Sequence, residues 1–137
     1  MKRTMITIFA TTALSTAALA QADMTPAVTA SDQDVSSGIV SADSVTAGEN
    51  GWLVVHRTDS AMKPGPVVGY APIRAGTTND VAAILQEEVA SGDMLMLMVH
   101  SEAGGTKTGV FEYTLGAKED GPIRVDDKLV MQTITAE

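Results

Sequence analysis

The residues best equipped for chemistry form one run, Met94-Leu95-Met96-Leu97-Met98-Val99-His100, with a second imidazole in Trp52-Leu53-Val54-Val55-His56-Arg57. Thioether and imidazole are the ligands that suit Cu(I). A strand turns successive side chains to opposite faces, so Met94, Met96, Met98 and His100 share one face of the first run, and Trp52, Val54 and His56 share one face of the second. If the two strands pair, His56 and His100 approach the Met96/Met98 face, and those four side chains are the candidate metal ligands. The same residues have a plainer account, in which methionine fills core gaps and strand histidines sit in satisfied hydrogen-bonding niches. On that account no cofactor is expected, and copper is the alternative. Both runs are apolar on both faces, whereas one face of each sheet in a two-layer sandwich normally meets water. Something must cover the second face, or it presents an apolar patch for binding.

Other constellations carry less. Ser60-Ala61-Met62-Lys63 and Lys107-Thr108-Gly109 match two signatures of penicillin-binding enzymes, in the right order. No S-x-N triplet lies between them, and Pro64 directly after the lysine breaks the helix that should carry the serine. No G-x-S-x-G elbow, H-E-x-x-H helix, Walker loop or dinucleotide fingerprint occurs. The absence of cysteine removes thiol catalysis and thiolate metal sites. Asp120, Asp126 and Asp127 supply oxygen ligands of the type calcium takes, but their spacing matches no calcium loop, and a solvated charged edge is the expected reading. No catalytic residue is therefore assigned, and the chain reads as a non-enzyme.

These residues sit in a chain whose start reads as an export signal. Met1-Lys2-Arg3 is followed by an uncharged apolar stretch from Thr4 to Leu19 and closes on Ala18-Leu19-Ala20, small residues where a signal peptidase requires them. Residues 1–20 are expected to be a cleaved signal peptide helix, leaving an exported protein, periplasmic or extracellular, with no membrane span. Cleavage takes Lys2 and Arg3 from 9 basic residues and none from 17 acidic ones, so the acidic excess grows from 8 to 10. Nucleic acid is an unsuitable partner for such a surface, because binding it rests on neutralising phosphates. Residues 21–37, rich in Ala, Ser, Thr and Asp, read as a flexible leader. Residues 38–137 are long enough for one domain.

Within that domain short β-branched or apolar runs alternate with turn residues at the spacing of an all-β sandwich. The runs are Ile39–Val45, Trp52–Arg57, Val67–Ala71, Met94–His100, Val110–Tyr113 and Leu129–Thr135. The stretch 81–89 is open between two forms. Val81–Leu85 can be a further strand, but Val81, Ile84, Leu85 and Val89 also fall at helical spacing behind a capping Asn79 or Asp80.

The order of segments resembles an uncharacterised domain family of exported bacterial and archaeal surface proteins. The matching residues are Gly51-Trp52-Leu53-Val54-Val55-His56, Gly65-Pro66-Val67-Val68-Gly69, Gly76 ahead of Asn79-Asp80-Val81, Leu95-Met96-Leu97-Met98-Val99-His100-Ser101-Glu102 and Asp120-Gly121-Pro122. The resemblance covers about 38 to 136. It implies an immunoglobulin-like β-sandwich of about seven strands, with 81–85 as a strand. It also implies a shared role for His56 and His100 and local variation at Met94 and Met96. Glu102 stands where the family pattern has aspartate, so Trp52, His56, His100 and Glu102 are the structural or binding candidates. The functional expectation is an exported non-catalytic module that binds an unknown protein or surface ligand, with a periplasmic copper carrier as the alternative.

Overall fold

The computed structural model describes residues 24–137, all of them strand, turn or irregular structure without helix. The strands are β1 Ala27–Thr29, β2 Ile39–Ala47, β3 Gly51–Thr58, β4 Val67–Ile73, β5 Gly76–Leu85, β6 Met94–Ser101, β7 Arg124–Val125, β8 Lys128–Leu129 and β9 Met131–Thr135. Seven of them form one antiparallel sheet in the order β1-β2-β5-β4-β3-β6-β9, and β7-β8 is a small separate hairpin. Cut between β4 and β3, that order is the four-plus-three strand arrangement of an immunoglobulin-like sandwich. The halves stay joined because β4 pairs with β3 over most of its length, while it meets β5 only at Gly69↔Leu85 and Tyr70↔Ile84.

The principal core lies between the halves. Leu53 and Val55 of β3 and Leu95, Leu97 and Val99 of β6 face Val40, Ala42 and Val45 of β2 and Val81 and Ala83 of β5, with Val130 and Ile134 closing the C-terminal side. The alternating pattern decides which way each strand turns: Val81 and Ala83 are buried while Ala82 and Ile84, between and after them, are exposed. Trp52 and Val54 are buried on the opposite face of β3, outside this cluster.

Residues 81–85 belong to β5, paired with β2 from Ile39↔Ile84 to Ala47↔Gly76. The helical spacing loses because a ladder of eight paired positions along β2 satisfies the backbone and buries Val81 and Ala83 together. The segment expected to be a flexible leader is corrected over its described part. Val28 of β1 and Val35 are buried, β1 pairs with β2, and Gln33 bridges Ala136 while its side chain holds both the amide and the carbonyl of Ser41. Three-residue β1 is too short and too rich in Ala and Thr to announce itself, and its order comes from these tertiary partners. Val110–Tyr113 forms no strand, since β6 already has β3 on one edge and β9 on the other. The signal peptide expected at 1–20 lies outside the described residues.

Candidate functional site

Pairing of β3 with β6 runs from Gly51↔Ser101 to Thr58↔Met94, with Trp52 opposite His100, Val54 opposite Met98 and His56 opposite Met96. Directly opposed residues share a face, so these six side chains form one surface on the side of the sheet away from the core. That surface is covered by chain segment 102–123. Phe111 meets the Trp52 ring at 5.4 Å and the Tyr70 ring at 4.3 Å, and Tyr113 stands edge-on to His100 at 4.6 Å and to His56 at 5.8 Å. Met96, Met98, His56 and His100 are consequently all buried. Burying methionine and phenylalanine side chains contributes about 1.5–3 kcal/mol each, which lets a loop rich in Gly stay docked without a strand of its own.

The two histidines are four paired positions apart, about 13 Å along the strands. Their imidazoles lean toward each other above the Val54/Met98 row until Nε2 of His56 lies 3.3 Å from Nε2 of His100. Each ring is held from behind. His56 Nδ1 is 2.8 Å from the Gly65 carbonyl oxygen, and His100 Nδ1 is 2.6 Å from the Asp120 carbonyl oxygen. A carbonyl only accepts, so both Nδ1 atoms carry the hydrogen and both neutral rings present a bare Nε2 lone pair to the other. Burial pushes the His100 imidazole down from 6.5 to about 4, against its hydrogen bond to Asp120 and helped by His56 as a neighbouring charge. His56 is lowered as well, first by burial, with the bond to Gly65 opposing.

Local backbone features set these contacts. A register shift between Val55 and His56 in the β3–β4 pairing marks a bulge, the kind of irregularity that re-aims a side chain. Across it, Gly65 donates to the Arg57 carbonyl at 2.7 Å and Pro66 accepts from the Arg57 amide at 2.9 Å. A Cβ at Gly65 would lie 2.7 Å from the Arg57 oxygen, so only glycine brings that carbonyl to His56. On the other side, Asp120 has φ +45° and no exposed surface. Its carboxylate accepts from the amides of Ala103 at 3.1 Å and Glu112 at 2.8 Å, tying both arms of the covering segment together. The expectation of a solvated edge at Asp120 is thus corrected. Asp126 and Asp127 lie apart from it, in the β7–β8 turn with φ +50° and +62°.

Glu102 follows β6 and accepts from the Trp52 indole Nε1 at 2.8 Å and from the Gly109 amide at 3.1 Å. It therefore joins Trp52 and does not reach the histidine pair through any hydrogen bond of the structure. Beside it opens a cleft of about 760 Å³, floored by Trp52, Tyr70 and Phe111 and rimmed by Asn50, Arg74, Glu102 and Thr108. Ser60–Lys63 lies in an exposed turn with Met62 at φ +56°, not on a helix. Among the described residues no group of three or more His, Asp and Glu side chains is placed to hold a metal ion.

Residues 26–137 match the family model described as "Domain of unknown function (DUF7282)". The chain belongs to this family. The match to DUF7282 thus starts just before β1 and takes in residues 26–37 of the stretch that sequence composition assigned to a leader. No curated protein and no solved structure matches the chain. Sequence reasoning singled out His56, His100, Trp52 and Glu102, read Asp120 as a solvated edge, and did not place Tyr113, Phe111 or the carbonyls of Gly65 and Asp120 beside them. The aromatic pair carried a signal, because Phe111 and Tyr113 alternate with polar residues and so send both rings to one side. The carbonyls carried none.

Proposed function

We propose that this DUF7282 domain is an exported, non-catalytic module that works by binding a protein segment or surface ligand in the cleft between β3, β4 and the covering segment. The observation that carries the reading is the aromatic floor, where Trp52, Tyr70 and Phe111 meet at centroid distances of 4.3–5.8 Å beneath a polar rim. Few polar groups around an apolar concavity are the usual anatomy of a ligand site. The buried histidines support the non-catalytic half, since each spends Nδ1 on a backbone carbonyl and neither has a surface from which to reach a substrate. Export rests on the basic, apolar and small-residue order of residues 1–20. The acidic excess of 8 argues against nucleic acid as the partner. No helix among the described residues is long and apolar enough to cross a membrane.

Trp52 is the only tryptophan, so its emission reports on the cleft. Panels of cell-envelope glycans and extended peptides should contain a ligand that shifts this emission and is lost in Phe111→Ala and Tyr70→Ala. Ligands that bind equally well to both variants, or no ligand in either panel, would remove the reading. Export is tested by the mass of the protein recovered outside the cytoplasm, which should begin at Gln21.

The second reading is a periplasmic copper carrier. The 3.3 Å approach of the two Nε2 atoms is the observation that favours it.

A further inference from the structure

His56 and His100 present a chemical problem that their surroundings do not solve. Both Nδ1 hydrogens go to carbonyls, so in the neutral rings two nitrogen lone pairs face each other at 3.3 Å, away from solvent. Buried acceptors need a partner, and the available partner is a cation that both nitrogens can share. The outward bonds are those of a metal site. A ligating histidine normally donates its other ring N–H to a carboxylate or backbone carbonyl, which fixes the tautomer and strengthens the donor. Here both rings are fixed in that way by carbonyls from opposite sides of the site.

We propose that the His56/His100 pair is a binding site for a soft monovalent cation, Cu(I), with the Met98 thioether as third donor. The surroundings decide the choice. A divalent ion such as zinc asks for four ligands with nitrogen, sulfur anion or carboxylate donors. Asp120, whose carbonyl holds His100, has its carboxylate already spent on the Ala103 and Glu112 amides. Two neutral imidazoles and a thioether in an apolar enclosure suit copper in its lower charge state. The spacing agrees, because two metal–nitrogen bonds of about 2 Å meeting at about 110° span about 3.3 Å. That angle sets the ion off the line between the rings. The β3–β6 register places Met98 in the row between the one that carries His56 and the one that carries His100. The proposal deepens the carrier reading but stands on binding alone, without transfer.

The mature chain, residues 21–137, should be titrated anaerobically with Cu(I) against a chromophoric Cu(I) chelator at neutral pH. One equivalent should be retained. His56→Gln and His100→Gln should each weaken retention by at least about tenfold, and Met98→Leu should weaken it measurably. Leucine at the exposed methionines Met24 and Met62 should change nothing. Ag(I) added to the unsubstituted, nitrogen-15-labelled protein covers the case in which the histidine variants fail to fold. Both Nε2 resonances should move while both Nδ1 resonances keep their hydrogen. No retained equivalent, retention lost in Met24→Leu or Met62→Leu, or silver binding with unmoved Nε2 signals would overturn the site. Tight retention with no release to a second chelator in the presence of any acceptor protein would leave the site standing and remove the carrier.

Discussion

His56 Nε2 and His100 Nε2 stand 3.3 Å apart because each ring is pulled by its other nitrogen into hydrogen bonds with the Gly65 and Asp120 carbonyls. The sheet alone would leave the residues on separate rows. A bulge before His56 and a left-handed residue at Asp120 bring the two acceptors into place, and Tyr113 closes the space above both rings.

Acid should destabilise the metal-free protein above the range where carboxylates titrate. The folded His100 holds its proton only near pH 4, whereas the unfolded one binds it near 6.5. Between those values the unfolded chain binds more protons, so stability is fully present above 6.5 and falls as pH drops toward 4, by up to about 3 kcal/mol. Glu112 and Asp93, held below the usual carboxylate range mainly by hydrogen bonds, lose their contributions only at more acidic pH. Urea unfolding at pH 7, 6 and 5 should give a falling series, flattened in His100→Gln, which itself should cost about 1–3 kcal/mol at pH 7 by leaving a buried partner unmatched. A series that is level from pH 7 to 5 contradicts the burial.

Asp120→Asn keeps a side chain that tolerates positive φ but replaces one acceptor oxygen with a donor facing an amide. It should lower stability by about 2 kcal/mol, since a buried N–H loses a charged partner. The damage should concentrate in the covering segment. Limited proteolysis should cut between Ala103 and Glu119 sooner than in the parent, with cleavage elsewhere unchanged.

Gly51 lies under the His100 carbonyl, where a Cβ would collide with backbone that cannot move without breaking the β3–β6 ladder. Gly51→Ala should therefore cost about 3 kcal/mol or prevent folding. Thermal unfolding of that variant beside Gly48→Ala, where nothing stands within 4 Å, isolates the effect. Equal melting of the two variants would contradict the close approach.

The β3 and β6 faces were legible because both runs alternate cleanly and both are apolar on each side. That double apolarity also announced a cover, without naming it. What supplied the cover was opaque for a physical reason: Val110–Tyr113 has a strand's composition, but with both edges of β6 occupied it lays its aromatic rings on the sheet instead. β1 was opaque because three residues of Ala, Val and Thr gain their order only from Thr46, Val45 and Ser44 across the ladder. The residues by themselves left 81–85 open between a strand and a helical spacing that local propensity favours; the resemblance implied the strand, and the pairing of β5 with β2 bears it out. Glu102 and Trp52 were both singled out, but their hydrogen bond to each other was not foreseen. The acceptors that orient the histidines are backbone atoms, which side-chain chemistry cannot advertise.

The most direct test of the histidine arrangement is long-range nitrogen-15 NMR of the two imidazoles in the metal-free protein at pH 7.5. Both rings should be neutral, with a protonated Nδ1 and an unprotonated Nε2. A hydrogen on Nε2 of either ring, with Nδ1 bare, would contradict the bonds to Gly65 and Asp120 and the convergence of lone pairs built on them.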